Sequence, residues 1–182
     1  MGTPQEGYVN YFEILGVPES AKPGEVRKEY RRLMKKLVGE IARVEITEER
    51  RNHFLLEMAK LNAALYVLRD NDLRDAYWNE RQALIELEQE WCAKARGVEP
   101  ENASEAERNE LNALRRAFDG RVRAFLSRYV EELMLEAGRD KECVEASHWD
   151  PAHERHAFRI LRQYRHLLYQ KILERLPYAE VT

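Results

Sequence analysis

The chain has 182 residues, 44% hydrophobic and 35% charged, with only 8 Gly and 6 Pro, a balance that matches a highly charged helical protein better than a sheet protein and suits one domain of good size or two small ones. Its 30 Lys and Arg against 33 Asp and Glu give a net charge of -3, so no global field draws it to nucleic acid or an anionic membrane, and any such contact must come from a local patch. Cys92 and Cys143 lie far apart without metal spacing and read as reduced thiols; no apolar run approaches the ~20 residues that span a bilayer, and Met1 to Glu6 lacks a signal-peptide pattern, so a cytoplasmic protein without a membrane partner is expected.

Tyr11 to Leu15 predicts about one helical turn, stopped at Gly16-Val17-Pro18 because proline disfavours helix in the residue before it. Pro23 suits a helix start. From Glu25 the apolar residues Val26, Tyr30, Leu33, Met34, Leu37, Val38 and Ile41 recur at steps of three and four, leaving Arg27, Lys28, Arg31, Arg32, Lys35 and Lys36 as a basic outer face. Only Gly39 interrupts this pattern, and packing outweighs its penalty of about 1 kcal/mol, so the helix is expected to reach Arg43. Thr47 with Glu48 and Glu49 predicts the cap of a third helix, which runs to about Arg69 with Phe54, Leu55, Met58, Leu61, Ala64, Leu65 and Leu68 as its stripe. Asp70-Asn71-Asp72 signals a turn and cap, and the next helix shows no stop before Gly97-Val98-Glu99-Pro100.

Ser104 to Glu107 matches a capping box opening a periodic run from 105 to about 137, with Leu111, Leu114, Phe118, Val122, Phe125, Tyr129, Val130 and Leu133 on one side. Asp150-Pro151 predicts a last helix, marked by Phe158, Leu161, Tyr164, Leu168 and Ile172 and ending near Pro177. The fold expected is all-α: a helical hairpin over 8–80 followed by a helical bundle or hairpin over 81–178, with the boundary near residue 79.

Several separated matches in correct order carry a resemblance to the J-domain family over residues 8–80. Tyr11, Ile14, Leu15, Gly16 and Val17 match its opening, and Tyr30, Arg31, Arg32 and Leu33 match its basic second helix. Met58, Leu61, Asn62, Ala63, Leu65, Tyr66, Val67 and Leu68 match its third helix, and Arg74, Ala76 and Tyr77 its close. The resemblance implies that the basic face Arg27, Lys28, Arg31, Arg32, Lys35 and Lys36 meets a partner. Where the family carries the His-Pro-Asp loop that triggers ATP hydrolysis by a DnaK-type chaperone, this chain reads Val38, Gly39 and Glu40, with no imidazole and no rigid turn. A degenerate J-like protein without normal ATPase stimulation is therefore expected. Its partner would be a DnaK-type chaperone, another J-domain protein or a larger complex. The order of lobes is also similar to that of the HscB co-chaperones, in length and order alone.

Other residue groups give weaker signals. His153 and His156 lie near one turn apart, with His148 and Cys143 nearby, but the zinc hydrolase spacing is missing; no metal, cofactor, small-molecule substrate or enzymatic activity is expected. Arg155, Arg159, Arg162 and Arg165 recur at helical steps among Phe158, Tyr164 and Tyr169, a possible second basic surface for RNA or phosphate, opposed by interspersed glutamates. Trp78, Trp91, Trp149, Tyr164, Tyr169 and Tyr178 serve either the core or a protein interface. The function expected is a protein-binding adaptor or subunit, with a divergent DnaK co-chaperone and a nucleic-acid-binding protein as alternatives.

Overall fold

Nearly every helix start carries a side chain that satisfies its first free amides. Asn10, Thr47, Asp70, Ser104, Asp140 and Asp150 each accept from a main-chain N–H in the turn that follows. The resulting elements are α1 (Tyr11–Leu15), α2 (Pro23–Arg43), α3 (Glu48–Leu68), α4 (Asn71–Arg96), α5 (Glu105–Leu126), a π-helical stretch Ser127–Glu132, α6 (Leu133–Ala137), α7 (Lys141–Ser147) and α8 (Pro151–Arg175). The computed structural model describes residues 7–43, 45–99 and 101–176, and among these there is no strand. The protein is all-α. No helix among the described residues is long and apolar enough to cross a membrane.

Helix α3 is the axis of the core. Its buried residues Leu55, Met58, Ala59, Leu61, Asn62, Ala63, Ala64, Leu65, Val67 and Leu68 fall on all sides rather than one, the mark of a helix enclosed by neighbours. Helices α1, α2 and α4 pack on it from the first half of the chain, and α6, α7 and α8 from the second. One buried cluster consequently runs from Tyr8 through Leu65 and Phe125 to Leu176, continuous across residue 80. Residue 79 itself lies inside α4, which is unbroken from Asn71 to Arg96.

Two polar ties fasten the beginning of the chain to its second half. The Tyr11 hydroxyl donates to the Tyr129 carbonyl inside the π-helical stretch. There the ladder has widened: the Leu133 amide bonds to the Arg128 carbonyl, five residues back. Further along, the Tyr8 hydroxyl donates to Glu88 Oε2 at 2.6 Å, and Arg175 Nε donates to Glu88 Oε1 at 2.5 Å. Gly7 makes that route possible. Its φ is +98°, and an added Cβ would lie 2.5 Å from Ile172 Cγ1 and 2.8 Å from the Leu168 carbonyl oxygen.

Helix α7 and the π-helical stretch were not expected from the sequence. Phe158 also departs from its expected place in the α8 stripe, since Ala157, Ile160, Leu161, Leu168 and Ile172 face the core and Phe158 is 38% exposed. At 100° per residue it falls on the flank of that stripe. Of the expected aromatics, Trp91 and Trp149 are buried and Trp78 packs edge-on against Phe12. The readings of Met1 to Glu6, Pro100, Pro177 and Tyr178 lie outside the described residues.

Candidate functional site

The basic residues of α2 are held outward because Val26, Tyr30, Met34 and Leu37 bury the opposite side. Val38, Gly39 and Glu40 are helical, and α2 continues through them to Arg43, so no loop exists at that place. Glu40 is exposed, and a Cβ added at Gly39 would meet nothing within 4 Å.

The six basic side chains of this face divide into two groups. Arg27 Nε lies 3.3 Å and Arg31 Nη2 3.9 Å from Glu142 Oε1 of α7, while Arg32 Nε pairs with Glu29 at 2.8 Å on its own helix. Lys28, Lys35 and Lys36 are exposed and make no ion pair among the described residues. The unpaired charge of this face is thus its lysines, while Arg27 and Arg31 are engaged by α7 and Arg32 by Glu29.

Helix α7 is fixed there from below as well as from the side. Arg69, the C-cap of α3, grips Asp140 through both nitrogens at 2.9 and 2.6 Å and reaches Glu142 at 2.7 Å. This grip holds the Asp140 carboxyl below its ordinary range and raises the Arg69 guanidinium. Beneath it, the Tyr30 hydroxyl donates to Asn62 Oδ1 at 2.7 Å, Asn62 Nδ2 donates to Ser147 Oγ at 3.4 Å, and Ser147 Oγ donates to the Cys143 carbonyl at 2.6 Å. Burial raises the Tyr30 hydroxyl well above the ordinary tyrosine value, so it stays protonated as a donor. The sequence signal for α7 was only Asp140 followed three residues on by Cys143, whose amide it caps, because a seven-residue helix is too short to show a period.

On α8 the second expected basic surface is also divided. Arg155, Arg159 and Arg162 are exposed on its outer side, whereas Arg165 turns inward, its Nη1 lying 2.5 Å from Glu131. The histidines are used separately: His153 Nδ1 accepts from the Asp150 amide at 3.3 Å, and His156 Nε2 lies 2.5 Å from Asn52 Oδ1. No group of three or more His, Cys, Asp or Glu able to hold a metal occurs among the described residues. Cys143 is buried, which pushes its thiol up to about 12 and keeps it protonated, the opposite of what a nucleophile requires.

No family model matches this chain, no curated protein matches it, and no solved structure matches its fold.

A rigid helix displays free ammonium groups in high dielectric, where they attract acidic surfaces and set orientation more than they add raw affinity.

Proposed function

We propose that this chain is a non-enzymatic adaptor, built on a degenerate J-like hairpin, that offers the outer face of α2 to an acidic protein partner in a chaperone-related or larger assembly. The observation that carries the reading is the set of exposed lysines Lys28, Lys35 and Lys36, which find no acid among the described residues although every neighbouring arginine on that face has one. Gly39 adds support, since a glycine in a helix with open space above it permits close approach by another backbone. The resemblance of residues 8–80 to the J-domain family points to the same face. Val38, Gly39 and Glu40, continuous with the helix, supply neither the imidazole nor the turn with which the family stimulates its chaperone.

The test is capture from native lysate with the full chain and with Lys28→Glu/Lys35→Glu/Lys36→Glu, read by mass spectrometry. These positions are exposed and unpaired among the described residues, so the variant keeps the fold, as a matched thermal midpoint verifies. Loss of a specific acidic partner is expected; an unchanged partner set removes the proposal. A DnaK-type ATPase assay with the full chain is expected to show no stimulation, and stimulation would favour the divergent co-chaperone instead.

A further inference from the structure

Along the outer side of α8, Arg155, Arg159, Arg162 and His166 follow one another at steps of four, three and four residues, forming a single exposed row about 16 Å long. None of the three arginines makes an ion pair or hydrogen bond among the described residues. Glu154, the acid adjacent to Arg155 in the chain, is held by Arg139, and Glu131 and Glu136 are held by Arg165 and Arg128. Glu174 is exposed but lies about 12 Å further along the helix than His166. The row is therefore a local positive stripe on a chain of net charge -3.

Beside the row stands Phe158, 38% exposed, with the Arg162 guanidinium 5.1 Å from its ring centroid. An outward aromatic ring flanked by arginines is a stacking platform beside a charged track, the combination that binds an unpaired nucleic-acid strand. Planar guanidinium groups match phosphate oxygens in pairs, which a row of lysines would not do. Gln163 and Gln170 are exposed next to the row and offer amides to a ribose 2′-hydroxyl. A second copy of the chain does not fit this face, because a two-fold pairing would set arginine against arginine.

We infer that the outer face of α8 binds single-stranded RNA, with Arg155, Arg159 and Arg162 on consecutive phosphates and a base stacked on Phe158. This surface is independent of the α2 reading, and either stands without the other.

The experiment is a fluorescence anisotropy titration of the full chain with a labelled twelve-nucleotide oligo(U), repeated across salt concentrations. Binding at low salt is expected to weaken with a slope of log affinity against log salt near about -2, the value for three phosphates on a single strand. Arg155→Ala/Arg159→Ala/Arg162→Ala abolishes binding at an unchanged thermal midpoint, and Phe158→Ala lowers affinity about tenfold without changing the slope. Absence of binding at low salt, or equal binding by the triple-alanine variant, overturns the inference. So does equal affinity for a matched oligo(dU), for poly-glutamate or for anionic vesicles, since each assigns the row to another anion.

Discussion

Glu142 bridges two helices that precede it: its Oε1 lies 3.3 Å from Arg27 Nε on α2, and its Oε2 lies 2.7 Å from Arg69 Nη1 at the end of α3. Through this residue α7 is coupled to the basic face, where Arg27 and Arg31 share one carboxylate.

Replacing Arg69 tests that coupling. Arg69→Met keeps the stem but leaves Asp140 and Glu142, with side chains 19% and 29% exposed, without their main cation. A loss of about 1–3 kcal/mol at pH 7 is expected, between the values for surface and buried pairs. The Asp140 carboxyl is depressed in the folded state by its hydrogen bonds to Arg69, so this contribution is complete above the ordinary aspartate value of about 4 and is lost as pH falls through the folded value. Urea unfolding from pH 7 to pH 2 should show a shallower acid decline in the variant; equal stability at pH 7 would contradict the coupling.

The glycines separate into opposite outcomes. Gly39 and Gly120 lie in helices with nothing within 4 Å of an added Cβ, so Gly39→Ala and Gly120→Ala should each stabilise by about 0.5–1 kcal/mol. Gly7→Ala should destabilise by about 2–4 kcal/mol, because its φ of +98° and the Ile172 contact at 2.5 Å leave no room for a methyl group. Thermal midpoints measured side by side check the signs. If Gly39→Ala also weakens partner capture, the open backbone of α2 takes part in docking.

Thiol reactivity distinguishes the two cysteines. Cys143 is fully buried and its thiol is pushed up to about 12, whereas Cys92 is partly exposed. A chromogenic disulfide reagent should label Cys92 in the native protein and Cys143 only at the rate of unfolding. The raised value carries a stability consequence of definite sign: the contribution is present below about pH 8.5, where the unfolded thiol is still protonated, and declines as pH rises toward the folded value. Cys143→Ala should flatten the alkaline part of the curve between pH 8 and 10. Native labelling of both thiols at one rate would refute the burial.

Arg81 is buried at 2% exposure, its Nε has no hydrogen-bond partner among the described residues, and its guanidinium lies 5.7 Å from the Trp78 ring centroid. Removing a buried donor together with its charge relieves desolvation, so Arg81→Met should raise stability by about 1–2 kcal/mol. A fall in the urea midpoint would show that the cation contributes more than its isolation suggests.

Much of the secondary structure was written locally. Thr47, Asp70, Ser104 and Asp150 announce helix starts because a side-chain oxygen reaches a free amide within three residues, a relation that needs no distant partner. The run of α2 through Gly39 to Arg43 followed likewise from its unbroken apolar period and the lack of proline. The outward turn of Lys28, Lys35 and Lys36 was legible for the same reason.

The tertiary structure decided what depends on residues far apart in the chain. Whether Arg27 and Arg31 are free is set by Glu142, more than a hundred positions away, and whether Arg165 belongs to a surface is set by Glu131 on a neighbouring helix. Period alone placed Phe158 in the core, but burial is allotted by which helices α8 meets, and they leave that ring outside. The sequence by itself determined the long helices and the sign of charge each carries, but not α7 or the π-helical stretch. Packing around α3 determined which of those charges are paired and which stay exposed without an acid among the described residues, because pairing depends on distances that only the folded chain establishes.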